Sequence, residues 1–208
     1  MGHGDTPGPT GRVGTTVDPG TLARTLSPSP GPVGLASGGG SAANAGAVSM
    51  ADQIVASVRR RAGERVGNGE CFTLVDRALR AAGARSAADF GPIAPAVDYA
   101  WGRTVSLSDV QSGDVIQFRN YRYDRDVVTR TGPRTDTTTE FQTRPHHTAI
   151  VERVGANGSL TVLEQNAPRR SPVLRSQLFF TNSTTRSGGT TTTIRVQGTF
   201  WFYRPQAR

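Results

Sequence analysis

The chain has 208 residues, a formal net charge of +8 and 35% hydrophobic residues, with 25 glycines and 13 prolines. That length allows one ordinary domain, or a domain with a tail. A single cysteine excludes an internal disulfide framework and a cysteine-based zinc finger, and no apolar run approaches the roughly 18–20 residues that span a bilayer.

Residues 1–48 are dominated by Gly, Ser, Pro, Ala and Thr without hydrophobic periodicity, and are expected to form a disordered tail. Arg12 and Arg24 cancel Asp5 and Asp18 there, so the net charge resides on residues 49–208, the expected folded domain. Every basic residue is arginine, none is lysine, and the arginines are scattered without a nucleic-acid motif. A basic nucleic-acid-binding module without catalysis is therefore the alternative from another class, although a polyanionic bacterial wall suits the charge equally. The N-terminus lacks a basic start followed by an apolar core, so no secretory signal is expected. The expected product is cytoplasmic as made, with a secretion machine or lysis as its routes outward.

Ser49-Met50-Ala51-Asp52 has the form of a capping box, and Ile54, Val55 and Val58 supply the stripe of a short helix. Arg59, Arg60 and Arg61 suit its last turn. After Gly67 and Gly69, a second helix is predicted from Cys71, with Leu74, Val75, Ala78, Leu79 and Ala82 on one face. Asp76 and Arg80 form an i,i+4 pair, and Gly83 stands at the expected C-terminal cap. Cys71 thus falls in the first turn, where unpaired N–H groups and the helix dipole favour thiolate over a free thiol of pKa about 8.5. The plain alternative is a small buried hydrophobe.

Residues 85–104 read as irregular, and a turn at 107–114 launches the strand Val115–Phe118. Residues 119–145 suggest a twisted hairpin bending near Gly132-Pro133, and 147–166 a second hairpin around Gly155–Gly158. Further strands are expected at Leu178-Phe179-Phe180, Thr192–Val196 and Thr199–Tyr203. Two helices followed by a run of strands indicate an α+β domain with helices packed on a mainly antiparallel sheet.

A two-residue loop at Ala156-Asn157 makes Arg153 face Leu160, Val151 face Val162, Ala149 face Glu164 and His147 face Asn166. Alternation then puts His147, Glu164 and Asn166 on one sheet face, with His146 and Gln165 on the other. A thiolate nucleophile needs a base within reach, and the base needs a third group to fix its tautomer. Cysteine at a helix start, histidine at a strand start and a polar residue on the adjoining strand follow the papain-type plan, with the Cys71 N–H as a natural oxyanion donor.

Gly69-Glu70-Cys71, then Gly113–Phe118, then His147–Val151, then Glu164-Gln165-Asn166 resemble, in this order, the CHAP family of cysteine, histidine-dependent amidohydrolases and peptidases, within the NlpC-like group. The resemblance spans roughly 52–167. It implies a papain-like cysteine hydrolase with Cys71 as nucleophile, His147 as general base, and Glu164 and Asn166 orienting the imidazole. It further implies amide cleavage in a peptide substrate, foremost peptidoglycan peptides, without metal or other cofactor; a monomer is expected. Acyl transfer or deamidation of a protein by the same thiol is the nearest alternative. Family members commonly carry Gln-Cys where this chain has Glu70-Cys71, so an oxyanion role of that glutamine does not carry over.

Overall fold

The computed structural model describes residues 48–208 except Ala96 and Ala156. The expected tail, apart from Val48, and one residue of the second hairpin loop lie outside the described residues.

Helix α1 (Met50–Arg59) opens on Ser49, whose Oγ accepts the Asp52 N–H at 3.1 Å, and it buries Ile54, Val55 and Val58. Helix α2 (Cys71–Ala81) buries Leu74, Val75, Ala78 and Leu79. It carries the Arg80–Asp76 pair at 2.8 Å and ends before Gly83, whose φ is +72°. Both helices deposit these side chains on Val115, Ile150 and Leu163 of the sheet. Burial of an aliphatic side chain contributes roughly 1.5–3 kcal/mol, so this seam is what attaches α2 to the strands.

The sheet is antiparallel and runs β1 (Arg103–Val105), β7 (Thr190–Arg204), β2 (Val115–Thr131), β3 (Arg134–Val154), β4 (Ser159–Glu164), β5 (Leu174–Phe179), with β6 (Ser183–Ser187) also paired to β7. The α+β expectation holds, with strands outweighing helices. Strands β2 and β3 form one long hairpin closed at Gly132-Pro133, the predicted bend. Away from the helices, Ile116, Phe118, Ala149, Val151, Leu160, Val162 and Leu178 form a second core. Phe180, just past β5, lies 5.0 Å from Phe200 and 5.2 Å from Phe202 on β7. Three strands separate β5 from β7, so those contacts require the sheet to curl over this face.

The register near the second hairpin departs from expectation in an instructive way. Gly155 N–H donates to Ser159 O at 2.7 Å, so the loop is one residue longer than two. Arg153 therefore faces Thr161 and not Leu160. A bulge between Val151 and Arg153 absorbs the extra residue, and Val151–Val162 and Ile150–Leu163 pair as expected. The ladder ends there, short of the expected Ala149–Glu164 and His147–Asn166 pairs. Glu152, the bulged residue, is buried and takes Arg59 at 2.5 Å and Arg175 at 2.5 Å.

A second irregularity crosses three strands. Asn120 on β2 has φ +52°, Pro145 on β3 has no N–H, and Gly198 on β7 has φ +89° at a register shift between Arg119 and Arg122. Phe118 and Tyr121, three apart, consequently point into the same core, which strict alternation forbids. A Cβ on Gly198 would lie 2.1 Å from Asn120 O. Gly198→Ala should therefore cost roughly 1–3 kcal/mol and lower the melting temperature by several degrees in a calorimetric scan, whereas Gly132→Ala, with open space around it, should cost less.

Candidate active site

The loop before α2 is fastened to the end of β4 by Gln165, which is fully buried. Its Oε1 accepts the Val66 N–H at 3.0 Å, and its Nε2 donates to Val66 O at 3.0 Å and Glu70 O at 2.7 Å. Gln165 directly follows Glu164, the last residue of β4, so the loop that delivers Cys71 is tied to the end of the strand that delivers Glu164. Alternation sends Gln165 away from His147, and its role lies in this attachment.

Cys71 is partly buried at the start of α2 and lies beside the His147 side chain. The Phe72 and Thr148 N–H groups are also close to its sulfur. Burial pushes the Cys71 thiol up, but the hydrogen bond and charge of His147, with those two N–H groups, outweigh it and hold the thiol below its ordinary value. His147 is 5% exposed, and its Nε2 meets Glu164 Oε2 at 2.9 Å. With Nε2 committed to the carboxylate, Nδ1 is the nitrogen left for the thiol. Burial alone lowers the imidazole; Cys71 and Glu164 reverse that and push it up to about 9. The favoured state is a thiolate beside an imidazolium.

Glu164 has no exposed surface. Burial pushes its carboxyl up, while His147 and Arg144 together hold it at about 2. Arg144 Nε donates to Oε2 at 2.9 Å and an Nη to Oε1 at 2.5 Å, a paired grip on both oxygens. Arg144 is itself 5% exposed, with its remaining N–H groups donating to Gln142 Oε1 at 2.9 Å and Thr143 O at 2.8 Å. Sequence reasoning missed Arg144 because alternation places it opposite His147. The available signal was the Arg144-Pro145 step, since proline inside a strand marks a break in the ladder.

The four expected site residues therefore divide. Cys71, His147 and Glu164 are brought together, with His147 between the thiol and the carboxylate that it hydrogen-bonds. Asn166 is not part of it: its φ is +66°, its Nδ2 donates to Glu70 Oε2 at 2.9 Å, and its Oδ1 accepts the Arg170 N–H at 2.7 Å. The left-handed backbone ends strand alternation at that residue and turns the amide toward the loop before Cys71. His146 faces the other way, as expected, with Nε2 3.1 Å from Val97 O and its ring against Tyr99. Phe72, Tyr99 and Trp101 form an aromatic cluster next to Cys71, with Trp101 Nε1 donating to the buried Gln117 at 3.2 Å. Among the described residues, no group of three or more His, Cys, Asp or Glu is arranged to hold a metal ion, and no helix is long and apolar enough to cross a membrane.

Residues 44–206 match the family model of the AIM3/BBC1 cysteine proteinase-fold domain. No curated protein matches the chain. Among solved structures, the chain is similar to one titled "The crystal structure of Ly7917", with a TM-score of 0.41 and 22% sequence identity over 63% of this chain. The matched part covers 56% of that structure's chain, so the similarity spans about half of it.

The carboxylate's position has a consequence for stability. Its folded value, about 2, lies below its ordinary 4.5, so its contribution is present above about pH 4.5 and is lost as pH falls through 2. Denaturant unfolding of the wild type and Glu164→Gln should differ by the order of 3 kcal/mol near neutrality, and the two should converge on acidification toward pH 2.

Proposed function

The chain belongs to the AIM3/BBC1 cysteine proteinase-fold domain family, and on that premise we propose that it is a cysteine-dependent hydrolase of peptide or protein amide bonds. Cys71 is the nucleophile, His147 the general base and acid, and Glu164 the group that orients and charges the imidazole. One observation carries the reading: a thiol at a helix start lies beside a buried histidine whose Nε2 is held by a buried carboxylate.

The steps follow from this geometry. The Cys71 thiolate attacks the amide carbon while the carbonyl oxygen takes the electron pair, stabilised by the Cys71 N–H among the unpaired donors of the first helical turn. As the C–N bond breaks, His147 passes its proton to the leaving amine, which leaves a thioester on Cys71. His147, now neutral, takes a proton from water. The hydroxide character so formed attacks the thioester, and the acid product departs as the thiolate–imidazolium pair is restored. Glu164 stays ionised throughout, held by Arg144.

The motifs' resemblance to the CHAP family supports a small peptide substrate, with peptidoglycan stem peptides as its finer version. The resident groups near Cys71, an aromatic cluster and the exposed Glu70–Asn166 pair, suit a peptide without selecting that source. Nucleic acid is the less favoured partner, since the arginines are scattered along the chain without a nucleic-acid motif.

Incubation with a peptide library, a protein mixture and peptidoglycan fragments, read by mass spectrometry, should reveal new amine and carboxyl ends. Cys71→Ala should abolish them, and His147→Ala should reduce turnover by several orders of magnitude. His146→Ala should change it little. A His146→Ala protein that is folded and inactive, beside an active His147→Ala, would overturn the assignment.

A further inference from the structure

We propose that Arg144 is a positioning residue for the thiol–imidazole pair: by gripping both oxygens of Glu164, it keeps the shared proton on His147 and thereby sets the acid edge of Cys71 reactivity. The inference rests on the hydrolase reading of Cys71 and His147, and deepens it.

The problem Arg144 solves is one of proton placement. A carboxylate without exposed surface and a buried imidazolium 2.9 Å apart have two arrangements of one proton. In one the proton is on His147 Nε2 and both groups are charged. In the other it has moved to Glu164 and both are neutral, the arrangement that burial favours. A neutral imidazole gives Cys71 no counter-charge, so its thiolate takes up a proton from solvent at a higher pH than it would beside an imidazolium. Arg144 decides between them because a guanidinium on Oε1 and Oε2 stabilises only the ionised carboxylate. A paired grip also fixes the carboxylate plane, and so the direction in which Oε2 meets the ring.

Among the described residues, Arg144 and His147 are the cations that contact the Glu164 carboxylate. The ionisable groups around Glu164 and His147 are Cys71 from α2, Tyr121 and Tyr123 from β2, and Arg144 and His146 from β3. Tyr121 is kept neutral by burial, with its hydroxyl donating to Phe179 O at 2.6 Å, and Tyr123 is likewise pushed up by burial. His146 faces the opposite side of the strand and is pulled down by burial, with Arg119 adding to the effect. From β5, Leu174 stands opposite Glu164, while Arg175 is engaged by Glu152. Arg144 reaches the site only through the break at Asn120 and Pro145, which turns it and Tyr121 to the His147 side.

The test is the rate of Cys71 alkylation by iodoacetamide as a function of pH, which needs no substrate, on wild type, Arg144→Met, Glu164→Gln and the double variant, each checked for folding by circular dichroism. In Arg144→Met the acid edge of alkylation should move up by about one pH unit or more. Because Arg144 acts through the carboxylate, the Glu164→Gln and double-variant profiles should superimpose. The double variant leaves no unpaired buried charge, so this comparison remains decisive if Arg144→Met alone does not fold. A folded Arg144→Met with the wild-type profile overturns the proposal, and so does an edge that Arg144→Met displaces in the Glu164→Gln background. If the wild type itself titrates as an ordinary thiol, the hydrolase reading fails with it, an outcome separate from a perturbed wild-type thiol indifferent to Arg144.

Discussion

Glu164 is a carboxylate with no exposed surface, and the rest of the site is arranged around the cost of putting it there. An isolated buried charge costs several kcal/mol after relaxation, and a protein avoids that by pairing it or neutralising it. Here two cationic groups divide its oxygens. Arg144 takes both in a paired grip, and His147 shares Oε2. The ionised carboxylate raises the imidazole, and the imidazole in turn lowers the Cys71 thiol. In the proposed account, the chemistry of the sulfur is set by Arg144, three side chains away from it.

That line of contacts depends on two features of the fold that are not themselves chemical. Gln165 joins the loop before α2 to the end of β4, which fixes the distance between Cys71 and the strand bearing Glu164. The irregularity shared by Asn120, Pro145 and Gly198 changes the phase of β2 and β3, so that the long arm beyond it presents Arg144 to the site. Gly198 permits the close approach to Asn120 O that this requires. Removing either feature would leave every side chain of the candidate site present and the geometry between them unspecified.

Much of this was legible in the amino-acid sequence wherever a regular period persists. Apolar spacing placed α1 and α2 and their caps, and alternation put His147 with Glu164 and separated His146 from them. The register argument reached the right pairing near the site from a loop one residue too short, because the bulge at Glu152 restores the register before Val151. What was not legible lies where the period breaks. Arg144 is beyond Pro145, Asn166 is left-handed, and both therefore point where alternation says they should not. Alternation placed Gln165 on the face away from His147, but its partners include the backbone of Val66, ninety-nine residues away, a contact that no local pattern encodes.

The central claim, a buried ion line that keeps His147 protonated beside a Cys71 thiolate, is tested most directly by nitrogen-15 NMR of the His147 ring across a pH titration. The structure predicts imidazolium signals from both ring nitrogens at neutral pH, persisting until about pH 9, where the proton is lost. A His147 ring that is already neutral at pH 7, with one protonated and one bare nitrogen, would contradict it.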